Sequence, residues 1–219
     1  MYKACILDID GTLLDSVESI AYVANQVMDI FGLPNQPVEA FNYYAGDGAD
    51  ELMKRTLRAA GDTELVHYEE GRALYREIFA KDPLYKVTAF DGMKETLAEL
   101  KNRGVRLAVL SNKPHPAAVT AIETVYGKDC FDIILGQQEG IPRKPSPEGA
   151  WLITDRFGIK PEECMYVGDT NTDMQTGKGA GMMTIGVTWG FRDREELEEN
   201  HADVIIDHPS ELLKIQECV

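Results

Sequence analysis

Asp8 and Asp10 stand one residue apart where a short apolar run stops, and Gly11 and Thr12 follow directly. The run at 4–7 reads as a buried strand. On a strand the side-chain period is two, so the two carboxylates are expected on the same side. Paired carboxylates beside a glycine that exposes backbone amides suit a hard cation and an anionic substrate. Asp-x-Asp-Gly is also an ordinary turn sequence, because both residue types favour turns. The placement of the other polar residues decides between these readings.

Strands are expected at 4–7, 105–110, 131–135, 164–167 and 184–187, with a weaker one at 204–206. Helices are expected between them at 92–103, 116–126, 148–157, 172–180 and 211–216. Strands alternating with helices give an α/β fold, a parallel Rossmann-like sheet with helices on both faces. Sites in such sheets form at the C-terminal ends of the strands. Asp8 and Asp10 end the first strand, Ser111 and Asn112 the second, and Asp169 the fourth; Lys144 lies in the loop after the third. Four polar groups at one sheet edge favour a site over a turn.

Residues 16–81 carry helical spacing alone. Asp15 or Ser16 reads as an N-cap, with Glu18 in the first turn, and Ile20, Val23, Ala24, Val27 and Phe31 recur until Gly32 and Pro34 stop the run. Further helices are expected at 37–44, over Leu52, Met53, Leu57 and Ala60 up to Gly61, and at 64–79, with 83–86 connecting back. The expected division is a core of 1–15 with 87–219, and a helical insertion of 16–86.

The whole chain sets bounds. Its 219 residues are 44% apolar, enough for one good core and a small insert. The net charge of −15 argues against nucleic-acid and anionic-membrane partners, so an anionic substrate needs a local binding device. Neither a membrane-span pattern nor a signal-peptide pattern is present. Cys5, Cys130, Cys164 and Cys218 lack metal-site spacing and read as reduced thiols of a cytoplasmic protein.

The polar stretches together resemble the haloacid dehalogenase superfamily of phosphotransferases. They are Asp8-Ile9-Asp10-Gly11-Thr12, Ser111-Asn112, Lys144-Pro145-Ser146-Pro147 and Gly168-Asp169-Thr170-Asn171-Thr172-Asp173, in the family's order. Residues 46–52 and 187–191 carry a closer likeness to the phosphoglycolate phosphatase-like group, and the helical insertion looks like that family's small cap. The resemblance implies a phosphatase that acts on a small phosphate monoester through an aspartyl-phosphate. Asp8 would be the nucleophile. Asp10 would protonate the leaving alcohol and later take a proton from water. Lys144 would neutralise the transferring group. Mg²⁺ would sit on Asp8, Asp169 and the Asp10 carbonyl, with Asp173 acting through water or by orienting Lys144. Ser111, Asn112, Gly11 and Thr12 would hold the phosphate. The presence of Asp10 argues against carbon–halogen cleavage, because the family's dehalogenases lack the second aspartate.

The loop Gly46-Asp47-Gly48-Ala49 enters a helix, so its amides could receive a substrate carboxylate, as phosphoglycolate would offer. Asp47, Asp50 and Glu51 oppose an anion there, and Arg55, Lys86 or Arg143 would have to offset them. Pyrophosphate, a nucleotide monophosphate or a sugar phosphate are other substrates consistent with the motifs. So is a sugar-phosphate mutase, which must keep water off the aspartyl-phosphate. A binding protein without activity is disfavoured, since Asp8, Asp10 and Lys144 are all retained. The sequence does not specify the oligomeric state.

Overall fold

The structure, a computed structural model, describes residues 1–81 and 84–217; Pro83 of the expected connecting segment and the Cys218 thiol lie outside them. The chain divides into two compact units, Met1–Asp15 with Thr88–Val219, and Ser16–Val87.

The first unit opens with β1 (Ala4–Leu7), whose residues are all buried, and a two-residue strand β2 (Leu14–Asp15). After the insertion it continues with β3 (Thr88–Ala89), which pairs antiparallel with β2. This short ladder, which joins the chain's exit to its return, is too brief to leave a periodic pattern in the sequence. Then come α5 (Met93–Asn102), β4 (Arg106–Pro114), α6 (His115–Tyr126), β5 (Ile133–Gln137), α7 (Glu148–Phe157), β6 (Cys164–Gly168), α8 (Asn171–Ala180), β7 (Met183–Val187), α9 (Arg194–Glu199), β8 (Val204–Ile206) and α10 (Leu212–Ile215). The insertion between β2 and β3 supplies α1 to α4, whose ranges are given below.

Six strands form one parallel sheet in the order β5-β4-β1-β6-β7-β8, with helices on both faces. Central β1 pairs with β4 from Ala4↔Arg106 to Leu7↔Val109, and with β6 from Ala4↔Cys164 to Leu7↔Val167. The chain leaves β1 toward β4 and β5, then crosses to β6, β7 and β8. Strand order therefore reverses around β1, where α/β sheets form their ligand crevice. Alternate residues pack one face: Ala4, Ile6, Ala108, Leu110, Cys164 and Tyr166 join Ala150 and Ile153 of α7 in one buried cluster.

Further details of the first unit depart from the sequence reading. β4 does not stop at Leu110 but runs to Pro114 through a register shift: Leu110 pairs with Leu135, and pairing resumes only at Pro114↔Gln137. Four steps on β4 face two on β5, so Ser111, Asn112 and Lys113 form a bulge. Gly136 permits it, because a Cβ there would stand 2.7 Å from both the Lys113 carbonyl and the His115 Cα. Helix α9 was not expected, because Leu197 is its one buried residue and gives no periodicity. The expected helix at 211–216 is split, with a 3₁₀ turn at Pro209–Glu211 before α10.

The second unit is helical, with α1 (Val17–Phe31), α2 (Phe41–Tyr44), α3 (Ala49–Ala59) and α4 (Tyr68–Lys81). α1 buries Ile20, Ala21, Val23, Ala24, Val27 and Met28, and Gly32 ends it in the left-handed conformation. Ser16 occupies its N-cap position without a side-chain capping bond. Gly71 of α4 packs where a Cβ would lie 3.3 Å from the Phe31 ring, with Met53 and Leu57 just beyond. α4 begins at Tyr68, not at 64, because Asp62 captures the amides of Val66 and His67 at 2.8 and 2.9 Å and turns that segment. A 3₁₀ turn at Val38–Ala40 precedes the short α2 in the expected helix at 37–44. No helix among the described residues is long and apolar enough to cross a membrane.

Candidate active site

The C-terminal ends of β1, β4 and β6 bring the expected residues to one place. Asp8 continues β1, its amide bonded to the Val167 carbonyl of β6 at 3.0 Å. Asp169 follows β6, and Asp173 lies in the first turn of α8. Carboxylate oxygens of Asp8, Asp169 and Asp173 lie within 4.8 Å of one another, and all three residues are buried.

Lys144 is held among them. Its Nζ lies 2.7 Å from Asp173 Oδ1 and 2.9 Å from Asp8 Oδ1. The contact with Asp8 is an ion pair without an aligned hydrogen bond: Oδ1 is buried and accepts none among the described residues. Asp173 also serves the helix, since its Oδ2 accepts from the Thr170 amide and hydroxyl at 3.2 and 2.7 Å. It is thus both the helix-start acid and the residue that holds Lys144.

Asp169 is fixed from both sides. Thr12 Oγ1 donates to its Oδ1 and the Phe191 amide to its Oδ2, both at 2.8 Å. Close packing makes this possible. A Cβ on Gly11 would fall 2.2 Å from Asp169 Oδ2, and one on Gly190 would fall 2.3 Å from Asp169 Cβ. Trp189 Nε1 bonds the Thr12 carbonyl at 3.1 Å and ties the same turn to the loop after β7.

Burial and mutual charge shape the titration of these groups. Burial pushes the Asp8 carboxyl up to about 6, against the pull of Lys144. Burial, then the charges of Asp173 and Asp8, raise Asp169 well above the usual carboxylate range. Burial works against the Lys144 ammonium too, but the Asp173 and Asp8 carboxylates outweigh it and keep Lys144 charged. With all three carboxylates ionised, one ammonium would leave two negative charges unbalanced. A divalent cation with oxygen preference balances them, and the donor set fits one.

Asp10 does not join this cluster by its side chain. It is half-buried, and the Lys113 ammonium contacts both its oxygens, at 2.9 and 3.1 Å. Lys113 was missed by the sequence reading; its one signal was adjacency to Ser111-Asn112. Asn112 directs its side chain to the Lys144 backbone, with Nδ2 donating to the carbonyl at 3.2 Å and Oδ1 accepting from the amide at 2.9 Å. Ser111 is buried, and its hydroxyl accepts the Lys113 amide at 3.3 Å.

In the helical unit, Gly46 and Gly48 both hold positive φ, 108° and 89°, before α3. The acids around them are paired. Asp47 lies 2.5 Å from Arg55, Asp50 lies 2.7 Å from Arg76, and Glu51 lies 2.6 Å from Lys54. Arg55 also donates to the Tyr43 and Tyr44 carbonyls, and Lys86 is bound to Glu18 at 2.6 Å. Arg143, the third cation considered, is exposed in the first unit.

Known proteins similar to this chain share its family and its fold. The family profile described as haloacid dehalogenase-like hydrolase matches residues 5–187. The phosphoglycolate phosphatase of Pectobacterium atrosepticum is 31% identical over 214 residues, which cover 97% of this chain and 92% of that one. The crystal structure of a predicted phosphoglycolate phosphatase from Haemophilus somnus 129pt superposes with a TM-score of 0.91 at 25% identity, covering 99% and 98% of the two chains. CbbY from Rhodobacter sphaeroides, in complex with phosphate, superposes with a TM-score of 0.80 at 25% identity, covering 97% and 96%.

Proposed function

This chain belongs to the haloacid dehalogenase-like hydrolases and is a phosphatase, and from that premise we propose that it hydrolyses phosphoglycolate through an aspartyl-phosphate on Asp8, with Mg²⁺ as cofactor. The observation that carries the proposal is the buried cluster of Asp8, Asp169 and Asp173 around Lys144. A nucleophilic carboxylate, an ammonium and an oxygen donor set that fits a divalent cation suit displacement at phosphorus.

Asp8 attacks the phosphorus and the ester bond breaks. Asp10 gives its proton to the departing alkoxide, which leaves as glycolate. Asp10 then takes a proton from a water molecule as that water attacks the phosphorus of the acyl phosphate, releasing phosphate and restoring Asp8. Lys144 offsets charge on Asp8 and the phosphoryl oxygens throughout. The Ser111 hydroxyl and the Asn112 amide hold those oxygens, whereas the expected Gly11 and Thr12 amides donate to the Leu14 and Ile9 carbonyls at 2.9 and 3.3 Å. When bound by Asp8, Asp169 and the Asp10 carbonyl, Mg²⁺ would supply the charge neutralisation that lets an anion approach a carboxylate.

The helical unit acts as a cap that selects the leaving group. Its loop at 46–48 offers the amides at the start of α3, and the pairing of Asp47, Asp50 and Glu51 with cations lowers the repulsion an anion would meet there. Free thiols at Cys5, Cys130 and Cys164 suit a cytoplasmic protein.

The test is release of inorganic phosphate from small esters, pyrophosphate, nucleotide monophosphates and sugar phosphates, with and without Mg²⁺. Phosphoglycolate turnover that requires Mg²⁺ supports the reading. Preference for a sugar phosphate, or its isomerisation without phosphate release, overturns it.

A further inference from the structure

Lys113 has no task in the chemistry above, yet it is held against Asp10. Its side chain is 7% exposed, and its ammonium meets both Asp10 oxygens at 2.9 and 3.1 Å. The β4 bulge delivers it there, immediately beyond Ser111 and Asn112. Burying an ammonium is costly, and a neutral donor at the same position would also satisfy Asp10. The charge itself therefore calls for a function.

The proposed in-line displacement places that charge. Displacement at phosphorus runs in line, so the leaving oxygen departs on the side away from Asp8. Asp10 must come within about 3 Å of that oxygen to protonate it. On that reading Lys113 Nζ, in contact with Asp10, lies on the leaving-group side.

We infer that Lys113 determines specificity: its ammonium receives a carboxylate that the leaving group carries one carbon from the ester oxygen. This deepens the phosphoglycolate reading and rests on it. One ammonium can serve two carboxylates, as Lys144 does here with Asp8 and Asp173. Lys113 would likewise bridge Asp10 and the substrate. The positive end of α6, a 12-residue helix whose N-cap is Pro114, adds to the field around it. In the helical unit, Arg55 is engaged by Asp47 and two carbonyls, and Lys86 by Glu18.

The experiment compares kcat/KM for phosphoglycolate, 2-hydroxyethyl phosphate and an aryl phosphate in the Mg²⁺-loaded wild type, Lys113→Met, Lys113→Gln and Lys113→Arg. 2-Hydroxyethyl phosphate replaces the carboxylate with a neutral hydroxymethyl group. The expected result is that Met and Gln lower kcat/KM for phosphoglycolate about ten- to a hundredfold more than for the other two esters, mainly through KM, while Arg keeps the preference. Gln retains a donor for Asp10, so it guards against a folding defect in Met. Equal losses on all three esters overturn the inference, since Lys113 would then only orient Asp10; the phosphoglycolate reading would survive. If the wild type favours another carboxylate ester, such as 2-phospholactate, and the variants lose that preference, the inference stands and phosphoglycolate falls. A wild type indifferent to the carboxylate overturns both.

Discussion

The side-chain amide of Asn112 grips the backbone of Lys144 across 32 residues of sequence, accepting from its amide at 2.9 Å and donating to its carbonyl at 3.2 Å. The ammonium that faces Asp8 is thus aimed from a strand that does not carry it. Asn112→Ala leaves two buried backbone groups without these bonds, a cost of about 1–3 kcal/mol. A small displacement of Lys144 Nζ then weakens charge neutralisation in the transition state. The expected result is a lowered Tm and a kcat reduced about ten- to a hundredfold with little change in KM. A kcat within twofold of wild type would show that the lysine holds its place without the clamp.

Asp8→Asn keeps the shape of the side chain and removes the attacking charge. It also relieves one of three crowded buried carboxylates. Phosphate release should fall on the order of a thousandfold or more while Tm is held or rises. Calorimetry beside the phosphate assay checks both halves. Retention of most of the activity would exclude an aspartyl-phosphate on Asp8.

Chelation should abolish activity and Mg²⁺ should restore it, with Ca²⁺ inhibiting. Calcium takes more ligands at longer distances and would draw Asp8 out of attack geometry. If the cation binds the folded cluster, Mg²⁺ at a hundred times its Kd should stabilise the protein by about 2.7 kcal/mol, visible as a raised Tm. Full activity in excess chelator, or a Tm indifferent to Mg²⁺, would remove the metal from the site.

Asp62 ties down the turn before α4. Burial alone would raise its carboxyl, but hydrogen bonds from the His67 and Val66 amides and the His67 ring outweigh burial and hold it below the usual range. A carboxyl lowered on folding stabilises above its unfolded value, about pH 4, and that contribution disappears as pH falls through the folded value. Asp62→Ala should therefore lower Tm near pH 7, by about 1 kcal/mol or more of stability, with the gap to wild type closing below pH 4. Tm measured across pH checks this; a gap independent of pH would locate the effect in packing.

Gly48→Val places a β-branched residue where φ is 89°. With the loop at 46–48 receiving the leaving group, kcat/KM for phosphoglycolate should fall at least tenfold, while an aryl phosphate, which asks less of that loop, should lose less. Steady-state kinetics on both esters measure the difference; equal losses would assign the loop a supporting role only.

The sheet was legible because its buried strands are short apolar runs punctuated by polar residues, as at Leu7-Asp8 and Val167-Gly168-Asp169. The bulge was not, because apolar spacing ends at Leu110 and what continues the strand is a close approach to Gly136. The Asp10–Lys113 pair joins residues 103 apart and has no local signature. Asp62 hides in a polar stretch that propensity extends into α4, and only its two captured amides show that the helix starts later. Asp8, Lys144 and Asp169 could be singled out by type and position, whereas the bonds that orient them, from Asn112, Asp173, Thr12 and Phe191, required tertiary structure.

Central β1 is made first but finds its neighbours late. About a hundred residues separate Leu7 from Arg106, where β4 begins, and β6 starts only at Cys164. At about 5–20 residues per second of synthesis, the strand that leads to Asp8 waits roughly 5–20 s for its first partner in the sheet. The helical unit, contiguous from Ser16 to Val87, has its whole sequence available before that moment. On the ribosome the insertion can therefore complete its core while Asp8 and Asp10 still lie in an unpaired segment, and the catalytic cluster closes only when Asp169 and Asp173 emerge.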